Sequence, residues 1–234
     1  MNTNNPLLDE LNKILPTIAE NAAMAERDRT PPEVNIRLLK SINFHRALQP
    51  KAYGGLEVSL PEFTNCVAAL AGACGGTAWA ASLLSTHSHQ MALFSKQAQE
   101  EFWGENPDAT ASSSIAPFGK VVEVEGGVLF NGHMRWSSGC DHAEWAIVGF
   151  WREGIQGERI YSFGVVPRSE YSIQDDWFAA GMKSSGTKTL IIEDVFIPEH
   201  RIEAAKDMME GKSAGFDLYP DSKIFYAPYR PYFA

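Results

Sequence analysis

The chain has 234 residues, of which 44% are hydrophobic and 11% aromatic, and this is enough apolar material for one large domain or two small ones. A formal net charge of -9 and a pI near 5.2 argue against nucleic acid or an anionic membrane as a partner, because both attract clustered basic side chains. The first residues lack a signal-peptide pattern, no long apolar span follows, and the three cysteines lack zinc spacing, so we expect a cytoplasmic protein with reduced thiols and no metal site.

Helical periodicity dominates the first hundred residues. Apolar residues at three- and four-residue steps predict an amphipathic helix over residues 7–25 that tolerates Pro16 as a bend or restart. Thr30, followed by two prolines, predicts the start of a second helix. A further helix is predicted over residues 62–73, and a glycine pair then separates it from a central helix.

The central helix is the most chemically loaded part of the sequence. Four side chains recur there at every fourth position and form one row: Trp79, Leu83, His87 and Met91. The row predicts that the His87 imidazole lies among large apolar groups. His89 follows two positions later and is expected to point away from the row. A core histidine satisfied by one hydrogen bond is the alternative to a catalytic His87.

After Pro107 the pattern changes to short β-branched or alternating segments separated by glycine. Strands are predicted over residues 120–124, 128–131, 143–151, 160–166 and 189–197, and a short helix over residues 202–209. The sequence therefore predicts an α+β fold. Its expected parts are an all-helical domain at 1–106, a β-rich domain at 107–200, and a short helix with an aromatic tail at 201–234.

Five stretches of the sequence carry a family resemblance. They read FHRALQPKAYGGLEVSLPEF, STHSHQ, DATASSSIAPFGK, WSSGCDHAEWAIVGF and KDMMEGKSAGFDLYPDSKIFYAPYRPYFA. In this order they resemble the two-component flavin-dependent monooxygenases of the acyl-CoA dehydrogenase fold superfamily, over almost the entire chain. The resemblance implies a barrel- or sandwich-like β domain after the helices. It also implies a C-terminal four-helix bundle beyond residue 234, which would complete the flavin pocket and support a homotetramer.

The resemblance further implies a reaction and its partners. A separate flavin reductase would supply reduced FMN, or FADH2 in its place, and O2 would be the co-substrate. The expected reaction converts p-hydroxyphenylacetate, a small phenolic acid, to 3,4-dihydroxyphenylacetate through a flavin C4a-hydroperoxide. Two alternatives stay open. One is an acyl-CoA dehydrogenase-like flavoprotein that abstracts a proton from a thioester, and the other is an inactive two-domain fragment.

The same resemblance assigns site residues. His87 is expected to accept a hydrogen bond from the phenol, because a neutral imidazole is an acceptor at working pH. Ser113 is expected between the phenol and the reactive oxygen, and Ser138 beside flavin N5. The expected flavin contacts are Trp79, Ala80, Ala81, Ser82, Leu83, Ser113, Ser114, Ile115, Trp136, Ser137 and Ser138. The expected substrate contacts are His87, Ser113, Arg230, Pro231, Tyr232 and Phe233.

Several of these residues also fit structural roles. Ser113 and Ser138 could be ordinary loop or strand-end serines, Trp136 a core side chain, and Arg230 a surface arginine packed over aromatic rings. The adjacent Cys140, Asp141 and His142 resemble a metal cluster, but neighbouring residues of a strand point to opposite faces, so a structural role is expected for all three.

Overall fold

The structure of the chain is a computed structural model that describes residues 5–154 and 156–225. Within these ranges, six α-helices lie between residues 6 and 103 and all seven strands lie between residues 111 and 204, which confirms the α+β fold predicted from the sequence. No helix in the described ranges combines the length and the apolar character that a bilayer crossing requires. The domain boundaries inferred from the sequence stay a prediction.

Residues 5–103 contain six α-helices. They are α1 (Pro6–Glu20), α2 (Ala22–Asp28), α3 (Glu33–Ser41), α4 (Leu60–Ala73), α5 (Gly75–Met91) and α6 (Lys96–Trp103). The helix predicted over residues 7–25 is interrupted, but at Asn21 and not at Pro16. The Asn21 side chain donates to Asn35 Oδ1 at 2.9 Å, so the interruption is tied to the neighbouring helix.

Helix α4 begins with a reciprocal cap. The Ser59 side chain accepts from the Glu62 backbone N–H, and the Glu62 side chain accepts from the Ser59 backbone N–H. Helix α5 follows at once and is the most enclosed helix of the chain, with buried residues along most of its length. The predicted row of apolar side chains on α5 is not uniformly buried. Met91 is fully buried, whereas Trp79 is 50% exposed, because it lies on the side of α5 that faces the end of a strand.

In the described part of the chain, seven strands form one sheet in the order β5-β6-β2-β1-β3-β4-β7. They are β1 (Ala111–Val124), β2 (Gly127–Ser137), β3 (Trp145–Glu153), β4 (Arg159–Pro167), β5 (Ser172–Gln174), β6 (Lys188–Pro198) and β7 (Ile202–Ala204). A last helix, α7 (Ala205–Glu210), follows β7 and shortens the helix predicted over residues 202–209. Strand β1 runs parallel to β3, and all other neighbouring pairs are antiparallel.

Strand β1 joins two halves of the sheet. Its first residues pair with β3, its last residues pair with β2, and the register shifts between Ser114 and Gly119. A Cβ atom on Gly119 would lie 2.3 Å from the Phe130 ring, so only glycine fits at this bend. One apolar core lies between the helices and the β3–β4 face, and a second lies between the two halves of the sheet. The first core places α5 directly against β1.

Glycine at position 76 sets how closely α5 approaches the loop before β6. A Cβ atom there would lie 2.1 Å from Ser184 Oγ and 2.6 Å from the Ser184 carbonyl carbon, whereas one on Gly75 would meet nothing within 4 Å. We expect Gly76→Ala to lower the free energy of unfolding by about 1–3 kcal/mol through overpacking. Urea unfolding measures this change, and Gly75→Ala is the matched control. Equal midpoints for both variants would contradict the close approach.

Candidate active site

His87 lies on the buried side of α5 and contacts β1 through both ring nitrogens. Its Nδ1 lies 2.7 Å from the Ala111 carbonyl oxygen, and its Nε2 lies 2.8 Å from Ser113 Oγ. A carbonyl oxygen only accepts, so Nδ1 carries the hydrogen and the neutral Nε2 accepts from the Ser113 hydroxyl. Burial lowers the pKa of His87 to about 4, which keeps the ring neutral near pH 7.

Ser113 is the half-buried end of this pair. Its neighbours on β1, Ser112 and Ser114, are buried, whereas Ser113 is more accessible, because successive side chains of a strand face opposite sides. Ser113 Oγ uses its hydrogen toward His87, so its lone pairs remain available as acceptors. The structure thus brings two of the predicted catalytic residues together and makes Ser113 the more accessible one. His87 itself is only 1% exposed.

The third predicted catalytic residue, Ser138, follows the end of β2. Its Oγ accepts from Trp79 Nε1 at 3.0 Å and lies 2.7 Å from Thr187 Oγ1. Trp136 adopts φ +66°, an uncommon conformation for a bulky residue, and its indole is 58% exposed. Positive φ at a strand end turns the indole out of the sheet, where it packs edge-on against Phe118.

These residues line a cavity of about 350 Å³. Its lining comprises Trp79, Trp136, Ser138, Trp177, Met182, Ser185 and Thr187. The lining is mostly aromatic and apolar with a few hydroxyl groups, the composition typical of small-molecule sites. Thr187 and Ser185 were not assigned to the site from the sequence. The signal that could have found them is the SSGT run at residues 184–187, in which Gly186 adopts φ +63°.

The other expected flavin contacts differ in accessibility. Ala80 and Ala81 are buried, whereas Ser82 and Leu83 are half-buried and share the open side of α5 with Trp79. The backbone of residues 79–83 lies within a helix, so its amides are engaged in helical hydrogen bonds and side chains must make any contact there.

Three further expected contacts lie on β1 and β2. Ser114 is buried, and its hydroxyl donates to the Arg135 carbonyl. Ser137 is fully buried, and Ile115 is half-buried against the first core. All three therefore pack within the sheet, and their roles toward a flavin stay predictions.

The expected substrate contacts Arg230, Pro231, Tyr232 and Phe233 lie outside the described residues. The described chain before them packs on α5, on the side opposite His87. His89 Nε2 donates to the Ile224 carbonyl at 3.1 Å, and its ring stacks on Phe225 at 5.2 Å. His89 therefore anchors this segment, in agreement with the expectation that it points away from the His87 row.

The cluster at residues 140–142 is engaged in structural contacts. Cys140 Sγ lies 3.7 Å from the Gly186 carbonyl oxygen, Asp141 pairs with Lys188, and His142 Nε2 donates to the Pro31 carbonyl. Burial raises the pKa of the Cys140 thiol to about 12, which makes it a poor nucleophile. Across residues 5–154 and 156–225, no group of three His, Cys, Asp or Glu side chains is arranged to hold a metal ion.

Comparisons with known proteins show similarity to flavin-dependent monooxygenases. The chain is 68% identical over 228 residues to the p-hydroxyphenylacetate 3-hydroxylase, oxygenase component, of Acinetobacter baumannii, covering 97% of this chain and 54% of that protein. It is 40% identical over 211 residues to the flavin-dependent monooxygenase, oxygenase subunit HsaA, of Mycobacterium tuberculosis, covering 89% and 53%. The crystal structure of that HsaA monooxygenase matches with a TM-score of 0.91 at 37% identity, covering 95% of this chain and 58% of that chain.

The chain therefore spans about half the length of the curated relatives it matches. No protein-family model matches it. The named relatives give no support to the acyl-CoA dehydrogenase alternative.

The burial of His87 leads to a pH dependence of stability. The folded state keeps the ring neutral down to about pH 4, whereas an unfolded histidine takes up a proton below about pH 6.5. The contribution of the neutral His87 ring to the free energy of unfolding is therefore fully present above pH 6.5 and is lost as the pH falls toward 4. Between pH 7.5 and pH 5.0 we expect a loss of about 2 kcal/mol through this residue.

Urea unfolding at the two pH values measures this loss. His87→Gln is expected to reduce the difference by about that amount. His133→Gln, an exposed substitution on β2, controls for the change of one histidine. An unchanged difference in His87→Gln would show that the ring is not held neutral.

Proposed function

The chain belongs to the flavin-dependent monooxygenases of the acyl-CoA dehydrogenase fold, and we propose that it forms part of an oxygenase component that hydroxylates p-hydroxyphenylacetate beside its phenolic hydroxyl. The observation that carries this proposal is the pair of His87 and Ser113. It places an accepting hydroxyl, oriented by a buried neutral imidazole, on the strand that packs against the helix carrying Trp79.

The cavity around Ser138 suits a reduced flavin. The indoles of Trp79 and Trp136 are both at least half exposed, and large exposed indoles are apolar surface that a planar ring system would cover. Ser138 is 5% exposed and accepts from Trp79, so it offers a polar atom within an apolar wall. Bound reduced FMN, or FADH2 in its place, would supply the electrons that activate O2.

Ser113 and His87 suit the phenolic end of the substrate. Because Ser113 donates to His87, its free lone pairs can accept the phenolic O–H, and this increases electron density on the ring that receives the oxygen. A histidine whose pKa is lowered to about 4 is a weak base near neutral pH. Both ring nitrogens of the buried His87 are engaged by Ala111 and Ser113, so the direct contact between His87 and the phenol that the sequence predicts is replaced in this proposal: His87 orients Ser113, and Ser113 accepts the phenolic O–H.

The spacing of residues along α5 sets the distance between Trp79 in the cavity wall and the His87–Ser113 pair. Trp79 and His87 lie eight residues apart on α5, which corresponds to about 12 Å along the helix axis. This length can accommodate part of a flavin ring and a phenol next to each other. The carboxylate of the substrate is proposed to pair with Arg230, as the sequence resemblance implies.

A separate flavin reductase and a homotetrameric assembly of the whole protein belong to the same proposal. The oxygenase-component name of the Acinetobacter baumannii relative supports the reductase. The cytoplasmic location inferred from the sequence stays a prediction.

Product analysis tests the proposal. The chain is mixed with a flavin reductase, NADH, FMN, O2 and p-hydroxyphenylacetate, and 3,4-dihydroxyphenylacetate is measured by mass spectrometry. Formation of this product is expected. Conversion of other phenols alone would change the substrate but not the reaction class, and no hydroxylated phenol at all would contradict the activity proposed for this chain.

Substitution of Ser113 tests its role against a neighbouring serine. Ser113→Ala is expected to lower product formed per O2 consumed by about tenfold, because the phenol loses its acceptor. Ser112→Ala is the matched control, since Ser112 is buried on the opposite face of β1. Equal product yields from the two variants would contradict the proposed contact.

A further inference from the structure

A line of four polar contacts runs from the cavity wall into the loop behind it. Trp79 Nε1 donates to Ser138 Oγ at 3.0 Å, and Ser138 Oγ lies 2.7 Å from Thr187 Oγ1. Thr187 Oγ1 lies 2.6 Å from Ser185 Oγ, which donates to the Met182 carbonyl at 2.8 Å. Each hydroxyl of the line thus has a neighbour on both sides.

The end of the line fixes the direction of every bond in it. Four contacts share four hydrogens, one from the indole and one from each hydroxyl. The Met182 carbonyl can only accept, so the hydrogen of Ser185 must point toward it. Thr187 must then donate to Ser185, and Ser138 must donate to Thr187. Any other arrangement leaves two oxygen atoms in contact with no hydrogen between them.

Ser138 consequently has no hydrogen left for the cavity. It receives the Trp79 indole hydrogen on one lone pair, donates its own hydrogen to Thr187, and keeps one lone pair free. A group in the cavity beside Ser138 must therefore be a hydrogen-bond donor.

We infer that Thr187 and Ser185 are positioning residues that hold Ser138 as a hydrogen-bond acceptor and thereby favour reduced over oxidised flavin in this cavity. The inference rests on the proposed function. Reduced flavin carries a hydrogen on N5 and can donate it, whereas N5 of oxidised flavin has no hydrogen and can only accept. An acceptor-only serine discriminates between these two states, and a freely rotating serine does not.

The loop that carries Thr187 and Ser185 is held from three sides. Gly139 N–H donates to the Ser185 carbonyl at 3.0 Å, and Ser184 Oγ donates to Glu26 of α2 at 2.8 Å. Gly76 of α5 lies so close to Ser184 that no side chain fits between them. Thr187 and Ser185 are themselves buried. The direction of the hydrogen bonds is therefore set by groups that have little freedom to rearrange.

Anaerobic binding of FMN in both redox states tests the inference without any measurement of activity. The observable is the ratio of the dissociation constant of oxidised FMN to that of reduced FMN. Thr187→Val removes the acceptor of the Ser138 hydrogen at nearly constant shape, which frees that hydrogen for oxidised N5. We expect the ratio to fall about tenfold. Thr187→Ser retains the hydroxyl and is expected to keep the ratio of the unsubstituted chain.

A second variant tests the same direction of hydrogen bonding through a different residue. Ser185→Ala leaves the Thr187 hydrogen without its acceptor, so Thr187 can turn and donate to Ser138, and the ratio is again expected to fall. Ser138→Ala removes the acceptor itself, so it should weaken reduced FMN without strengthening oxidised FMN. This difference separates loss of orientation from loss of the serine.

The outcomes are distinguishable. A lower ratio in Thr187→Val and Ser185→Ala, with rescue in Thr187→Ser, supports the inference. Equal weakening of both redox states in these variants, or no change in either, overturns it and leaves the flavin site in place. An unsubstituted chain that binds neither state of FMN overturns the proposed flavin site in this chain, and the inference with it.

Discussion

The contact between α5 and β1 is the constraint on which the rest of the site depends. A polar ring buried in an apolar core is costly unless its nitrogens are paired, and His87 meets this requirement on both sides. The Ala111 carbonyl fixes the position of the ring hydrogen, and Ser113 occupies the remaining nitrogen. These two contacts thus tie α5 to β1 and set both the tautomer of the ring and the direction of the Ser113 hydroxyl.

The same helix serves a second site at its other end. Two turns before His87, one side of α5 is open and exposes the Trp79 indole beside Ser138. The helix is held there by the close approach of Gly76 to Ser184, and at its far end by the contact of His89 with the segment ending at residue 225. A rigid element therefore sets the spacing between the cavity and the His87–Ser113 pair, as precise positioning of reacting groups requires.

Much of this fold could be predicted from the sequence, because periodicity and capping are local signals. The change from helices to strands after Pro107 is an example. The serine run at 112–114 carries no such local signal, because serine lacks the β-branched or aromatic side chains that mark strands. It is nevertheless a strand, since β3 supplies its hydrogen-bond partners and small side chains suit the close packing against α5.

The exposure of Trp79 and the roles of Thr187 and Ser185 depend on tertiary contacts that no local pattern records. An apolar side chain on a regular helical row is normally expected to be buried, and only the position of β2 shows that the row opens at Trp79. The direction of the hydrogen bonds from Ser138 through Thr187 to Ser185 depends on the Met182 carbonyl, and Met182 itself adopts the left-handed conformation, with φ +55°. Family resemblance assigns His87, Ser113 and Ser138 to the site. The structure pairs His87 with Ser113 and places Ser138 in the wall of the cavity, and the catalytic roles of all three stay predictions.

Nitrogen NMR of His87 tests the central claim most directly. In a chain carrying ¹⁵N-labelled histidine, the spectrum at pH 7 reports which ring nitrogen carries the hydrogen and whether the ring is charged. The expected result is a neutral ring protonated at Nδ1, with no titration between pH 8 and pH 5. A ring protonated at Nε2, or one that becomes charged near pH 6.5, would contradict the orientation of Ser113 by a buried neutral histidine.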